Sequence, residues 1–320
     1  MPTRTHLVTI DDVRRAATRI TGKVLRTPLL SAPWAGGLAL KPESLQPTGS
    51  FKVRGALNAV AALDPQERAR GVVTHSSGNH AQALAWAAQA YGAAATVVMP
   101  ESAAPVKVAA TKALGAHVVM VPPAQRDSTV HKLRDESGLA FISPFDHRDV
   151  IAGAGTVGLE IAADHLEFDT VLVPVGGGGL ISGIGVAMKA LAPHVRVVAV
   201  EPELAADLAE SMAAGERIAW DTALTYRTIA DGVRLPVVGE VTWPHIQAHV
   251  DEVVTVPDDA ILEAMALVTA RSRVVAEPTG ALAAAAYLAD PQRYGNAVAV
   301  VTGGNADPTL LSRVLNDHVQ

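Results

Sequence analysis

Short β-branched runs alternate with longer alanine-rich stretches of helical period along this 320-residue chain, the pattern of a parallel sheet covered by helices. The strand candidates are Val72–Thr74, Ala95–Met99, His117–Val121, Thr170–Val175, Arg196–Val200 and Ala297–Val301. Between them, Ala81–Tyr91, Ala104–Leu114, Thr129–Glu136, Val157–His165 and Leu180–Leu191 read as helices. Most of the strands run straight into glycine, serine or proline. Loops at the carboxyl ends of strands are where open α/β sheets bind ligands, so a site assembled from such loops is expected.

Composition narrows the function. With no cysteine there is no thiolate nucleophile, disulfide or thiolate metal site. The net charge of -6 comes without a basic run, which argues against a nucleic-acid partner. The longest apolar stretches, such as Ala281–Ala289 and Val171–Val175, fall short of the roughly 18 to 20 residues that span a bilayer. The N-terminus carries neither a signal-peptide nor a transit-peptide pattern, so a cytoplasmic location is the default expectation.

Four segments carry chemistry. In Pro47-Thr48-Gly49-Ser50-Phe51-Lys52 a lysine follows a bulky aromatic at a turn opening an alanine-rich helix. Partial desolvation there would lower its pKa toward nucleophilic amine chemistry, although most lysines in such a first turn are simply solvated. Ser76-Ser77-Gly78-Asn79-His80 follows a strand and precedes a helix. Free backbone N–H groups at that point could hold a carboxylate or phosphate, or the residues could be ordinary N-caps. Gly176-Gly177-Gly178-Gly179 opens the helix from Leu180, where residues without Cβ let consecutive amides converge on an anion. The loop lacks the Lys-Ser/Thr ending of a nucleotide P-loop, and no dinucleotide fingerprint accompanies it. Finally, Thr302 in Val301-Thr302-Gly303-Gly304-Asn305 offers a neutral hydroxyl that could hydrogen-bond a pyridine nitrogen without protonating it.

In this order and spacing, from Arg26-Thr27-Pro28 to Asn305, the chain resembles the fold-type II pyridoxal-phosphate enzymes, in the branch of biodegradative threonine dehydratases and serine racemases. The resemblance implies an α/β protein of two domains, each with a mostly parallel twisted sheet flanked by helices. Residues 1–61 and 150–320 would form the larger, cofactor-binding domain, and 62–149 a smaller mobile one. It implies that Lys52 carries the cofactor as a Schiff base, Phe51 packs near it, Asn79 hydrogen-bonds the pyridoxal 3′-oxygen, Gly176, Gly177, Gly178, Gly179 and Leu180 hold the phosphate, and Thr302 faces the ring nitrogen. Ser77 would lie on the face opposite Lys52, Ser76, Asn79 and His80 would cradle the substrate carboxylate through their loop, and Gly232 would line the substrate side. It further implies a Mg²⁺ or Ca²⁺ site at Glu201, the Ala205 carbonyl and Asp207, an oxygen donor set suited to hard cations. The assembly would be a homodimer or homotetramer.

Three positions depart from the family pattern: threonine at 302 where serine is usual, Ala154 in place of glutamine in the segment ending at Thr156, and Phe145 in Ser143-Pro144-Phe145-Asp146, which resembles the dehydratases. The activity implied is β-elimination from a β-hydroxy amino acid such as L-threonine or L-serine, giving a 2-keto acid and ammonia. Lys52 would remove the Cα proton, and a ring kept unprotonated by Thr302 would favour loss of the β-hydroxyl. The alternatives are an amino-acid racemase using Ser77, a dehydratase for hydroxyaspartate or a bulkier substrate, and a non-catalytic binding module that kept the fold. Arg126 and His147 are candidate readers of the substrate side chain. The chain ends at Gln320, soon after Asn305, so no C-terminal sensor domain and no feedback inhibition are expected.

Overall fold

The computed structural model describes residues 7–164 and 167–319. The described strands are β1 (Leu30–Ser31), β2 (Leu38–Pro42), β3 (Val72–His75), β4 (Ala95–Pro100), β5 (His117–Val121), β6 (Ala140–Phe141), β7 (Thr170–Pro174), β8 (Arg196–Pro202), β9 (Glu252–Val256) and β10 (Ala297–Val301). They form two sheets, one in the order β1-β2-β10-β7-β8-β9 and one in the order β5-β4-β3-β6. Every pairing is parallel except β1 with β2.

The larger sheet is covered on both faces, which explains why its central strands are apolar at most positions. Leu172, Val198, Val200, Ala299 and Val301 pack with the helices Asp258–Ser272 and Pro278–Ala289. Their neighbours Val171, Val173, Val197, Ala199, Val298 and Val300 pack with Thr156–Ala163 and Gly179–Leu191 on the other side. Side chains that alternate between two cores cannot slip register by one residue without exchanging faces. Each buried valine or leucine contributes about 1.5–3 kcal/mol. The smaller sheet follows the same rule. Val72, Val97 and Met99 meet the helices Lys52–Ala62 and Asn79–Ala90, while Val73, Val98 and Val121 meet Arg126–Ser137.

All six expected strands form, two with the anticipated ends, and β7 stops one residue early, at Pro174. The five expected helices form as well, with ends shifted by up to three residues. Val157–His165 runs instead over Thr156–Ala163, and His165 lies outside the described residues. Strands β1, β2, β6 and β9 were not anticipated. β1 and β6 are two residues each, and β2 contains Lys41 and Pro42, polar and conformationally restricted residues that mask a strand signal. No helix among the described residues is long and apolar enough to cross a membrane.

The placement of β10 builds the site. Although last in sequence it lies between β2 and β7, so its carboxyl end meets the segment that leads to Lys52. The Phe51 N–H donates to the Thr302 carbonyl at 3.0 Å, and Ser50 bridges to Gly303.

Candidate active site

A cavity of about 370 Å³ lies at the carboxyl ends of the strands, between the two sheets, and continues into a recess of about 50 Å³. Phe51, Lys52, Phe145, Gly232 and Thr302 line both. Ser76, Ser77, Asn79 and His80 line the larger part, and Gly176 to Gly179 with Leu180 line the recess. The structure thus brings together the four segments singled out from sequence. Glu201, Ala205 and Asp207 are elsewhere, at the end of β8.

Lys52 opens the helix Lys52–Ala62. The turn before it requires glycine, because Gly49 has φ +72° and a Cβ there would approach Asn305 Oδ1 to 2.4 Å. The Lys52 amine donates to the Pro144 carbonyl at 2.8 Å and lies 5.0 Å from the Phe51 ring centroid. Burial lowers its pKa to about 8, which raises the neutral, nucleophilic fraction at neutral pH far above that of a solvated lysine, to about one tenth.

An ion cluster beneath the same helix fixes its position. Arg54 has no exposed side-chain surface and forks to Glu43 and Glu160, the closest contacts being 2.7 Å, while Lys41 donates to Glu160 at 2.7 Å. Burial raises the Glu43 carboxyl, but the Arg54 charge and hydrogen bonds, with those of Thr27 and the charge of Lys41, bring it below its usual range. Arg54 also donates to Thr156 Oγ1 at 3.2 Å, and Thr156 donates to the Gly153 carbonyl at 2.7 Å. Hydrogen bonding at this helix start therefore proceeds through Thr156, with Ala154 simply buried.

The recess is shaped by absent side chains. A Cβ at Gly177 would fall 2.2 Å from the Phe145 ring, and one at Gly179 would lie 3.0 Å from the Phe145 backbone. Gly178, at φ +89°, turns the chain into the 13-residue helix Gly179–Leu191. Among the described residues the amides of Gly176 to Leu180 donate to no protein acceptor. Free amides at a helix N-terminus suit a phosphate, and this cup fits the phosphate of the expected cofactor. Asp146 holds the facing loop by accepting from the amides of Glu240, Val241 and Thr242, and Thr242 Oγ1 donates to the Gly177 carbonyl at 2.7 Å.

The remaining expected residues are more constrained than the sequence implied. His80 is buried with Nε2 at 3.2 Å from the Ile142 carbonyl. Burial, then the Lys52 charge, lower its pKa to about 3, so it stays neutral and its contribution to anion binding is confined to the loop backbone. Asn79 uses both ends of its side-chain amide on protein partners, Glu277 and Asn305. The Thr302 hydroxyl contacts the Thr279 carbonyl at 3.4 Å, and Gly232 donates to Thr279 Oγ1 at 3.0 Å. His147 does not line the cavity. Its Nδ1 accepts from the Asp149 amide and caps the helix Arg148–Ala154.

Several lining residues escaped the sequence reading. Glu277 and Thr279 stand at the start of the helix Pro278–Ala289, where an acidic residue before proline looks like a common helix opening. Lys107 and Asp231 line the cavity as an ion pair at 2.5 Å. Arg126 lines it too, and its Nε is buried without a hydrogen-bond partner.

The pair Glu201 and Asp207 is deeply buried. Burial, then the Asp207 charge, push the Glu201 carboxyl well above its usual range, and burial pushes Asp207 to about 7. Glu201 accepts from the Leu208 and Ala209 amides, but both carboxylate oxygens of Asp207 are without partners. Among the described residues no group of three or more His, Asp or Glu side chains forms a metal cluster.

Comparison with known proteins agrees with this geometry. Residues 20–303 match the family model described as pyridoxal-phosphate dependent enzyme. The chain is 40% identical over 316 residues to a serine racemase of Oryza sativa subsp. indica, covering 94% of this chain and 92% of that protein. It is also 40% identical over 320 residues to the L-threonine ammonia-lyase of Thermotoga maritima, covering 97% and 79% respectively. The solved structure of maize serine racemase superimposes with a TM-score of 0.90 at 38% identity, covering 98% of each chain. A match across 284 residues of the chain, with a lysine, a glycine cup and a neutral hydroxyl around one cavity, shows that the protein belongs to the family of pyridoxal-phosphate-dependent enzymes.

Proposed function

We propose that the protein is an ammonia-lyase that eliminates water from a β-hydroxy amino acid such as L-threonine or L-serine. The observation that carries this reading is the Lys52 amine, its pKa drawn down to about 8 by burial, in a cavity whose recess is a cup of free glycine amides. In this reading Lys52 binds pyridoxal phosphate, the amides of Gly176 to Leu180 hold its phosphate, Phe51 packs beside it, and Asn79 and Thr302 meet its 3′-oxygen and ring nitrogen. When bound, the cofactor supplies an electron sink for negative charge at the substrate Cα.

Lys52 does the proton chemistry. Freed by the incoming amino group, its amine takes the Cα proton, and the β-hydroxyl departs with a proton as water. The amides of Ser77 and Asn79, at the start of the helix Asn79–Ala90, would orient the substrate carboxylate, while the Ser76 amide is taken by the Val98 carbonyl at 3.2 Å. A neutral hydroxyl at Thr302 would leave the ring nitrogen unprotonated, which would favour loss of the β-hydroxyl over reprotonation at Cα. The unsaturated amine that leaves hydrolyses to a 2-keto acid and ammonia.

A second reading concerns the substrate. Arg126 presents a cation whose Nε has no partner, and a dicarboxylic substrate such as hydroxyaspartate would satisfy it. Racemisation would require Ser77, which lines the same cavity, to reprotonate the opposite face. Keto-acid formation across a panel of β-hydroxy amino acids, with chiral analysis of the residual substrate, separates these readings. Elimination with a single residual enantiomer supports the proposal, whereas residual substrate recovered as equal enantiomers defeats it.

The rest of the reading follows the family resemblance. Residues 62–149 would close over the substrate, with Lys107 and Asp231 pairing across the cavity. The unpartnered Asp207 oxygens, with Glu201 and the Ala205 carbonyl, would take Mg²⁺ or Ca²⁺. A cytoplasmic homodimer or homotetramer completes it.

A further inference from the structure

We propose that Glu277 is a positioning residue for the cofactor, fixing the Asn79 amide so that one of its N–H groups remains directed into the cavity. The inference rests on the reading of Asn79 as the partner of the cofactor 3′-oxygen and adds the element that sets its direction.

A side-chain amide can present either its oxygen or its nitrogen to a ligand. At Asn79 the choice is removed from both ends. Its Nδ2 donates to Glu277 Oε1 at 2.6 Å, and its Oδ1 accepts from Asn305 Nδ2 at 2.8 Å. Asn305 is held in turn by the Thr48 carbonyl at 3.0 Å. Above its pKa of about 7 the Glu277 carboxylate only accepts, and Asn305 Nδ2 only donates, so the Asn79 nitrogen must face Glu277 and its oxygen Asn305. One N–H is consumed there, and the second is left for the cavity that Asn79 lines.

The surroundings are shaped for this contact. A Cβ at Gly303 would come within 2.3 Å of Glu277 Oε1 and 3.1 Å of Asn79 Nδ2, so glycine is what lets the two meet. The Glu277 amide donates to the Gly303 carbonyl at 3.0 Å, which ties the carboxylate to the end of β10. Glu277 is only 5% exposed, and burying a charge is costly where a neutral glutamine would have the same shape. Glutamine, however, keeps an acceptor for Asn79 but loses the charge-assisted bond, so it holds the amide less firmly than glutamate does. Burial and the Asp231 charge push the Glu277 pKa up to about 7, against the Asn79 hydrogen bond, the Lys107 charge and the Asn305 amide.

The test compares the parent with Glu277→Ala, Glu277→Gln, Asn79→Ala and the double variant Glu277→Ala/Asn79→Ala. Pyridoxal phosphate is titrated into cofactor-free protein and followed by its visible absorption, with the melting temperature of the cofactor-free form as the folding control. Loss of one charge-assisted hydrogen bond predicts about tenfold weaker binding in Glu277→Ala. Glu277→Gln, which keeps an acceptor, should recover to within about threefold of the parent. In the Asn79→Ala background, Glu277→Ala should cost less than about twofold further, because its effect passes through that amide. Full additivity of the two alanine substitutions, or parental affinity in Glu277→Ala, would overturn the proposal. A parent that binds no cofactor overturns the cofactor reading as well, and is thereby distinguished from failure of the Glu277 assignment alone.

Discussion

Arg54→Met removes the guanidinium from the ion cluster beneath the helix that Lys52 opens while keeping an unbranched side chain of similar reach. Glu43, with no exposed side-chain surface, would then lose the partner that overcomes its desolvation. Removing one member of a buried pair typically costs about 3–5 kcal/mol. Lys41 remains beside Glu160 and near Glu43, and Glu160 keeps some solvent access, which puts the expected loss at the lower end, about 3 kcal/mol. An unfolding entropy of about 0.7 kcal/mol/K for a chain of this length converts that into a fall of about 4 °C in melting temperature.

The pH dependence gives the sharper test. In the parent the Glu43 pKa is depressed, so its contribution to stability is present above the unfolded value and is lost only as pH falls through the lower folded value. Without Arg54, burial raises the same carboxyl above its unfolded pKa, and the sign reverses. The folded variant then binds the extra proton, so its deficit should shrink as pH falls, by at most about 1.4 kcal/mol per unit. Melting curves of cofactor-free parent and variant at pH 8 and pH 5.5 measure this. A variant that melts with the parent at pH 8, or a deficit that does not change between the two pH values, would refute the reasoning.

Gly178→Ala places a Cβ at φ +89° and 2.7 Å from Ile246 Cδ1, a strain of about 1–2 kcal/mol before repacking. Pyridoxal phosphate should bind about tenfold more weakly, and an unchanged dissociation constant in a spectroscopic titration would contradict the cup assignment. Cofactor uptake should accelerate with pH and level off above about 8, because the Lys52 amine reacts only when neutral. Stopped-flow growth of the visible band reads this, and a pH-independent rate would count against Lys52. Adding Mg²⁺ or Ca²⁺ to chelator-treated protein should raise its melting temperature, and Asp207→Asn should abolish that gain. An equal gain in parent and variant would place the cation elsewhere.

The core of the larger sheet was legible because its signal is local: β7, β8 and β10 are dense in valine, and their helices repeat alanine and leucine at helical spacing. Strand β9 was missed although Glu252–Val256 is similarly rich in valine. Its partial burial along most of its length reflects an edge position, and the alternation that marks a half-buried strand is weak there. In the site, the glycine loop and Lys52 were legible because backbone geometry leaves a trace in residue type. Glu277 was not. Its role depends on β10 inserting beside β2, which brings residues 79, 277 and 305 to one point, and no local pattern records that meeting. His80 shows the converse, since it was expected among the residues that cradle the substrate carboxylate through their loop, and its side chain is instead buried, neutral and turned to the Ile142 carbonyl.

The account stands on Lys52 being the lysine that holds the cofactor. Reducing the cofactor-loaded protein with borohydride and locating the modified residue by peptide mass spectrometry tests it directly. The expected result is a single pyridoxyl-phosphate adduct on Lys52, absent from a folded Lys52→Ala variant; an adduct on another lysine, such as Lys41 or Lys107, or no stoichiometric adduct would contradict it.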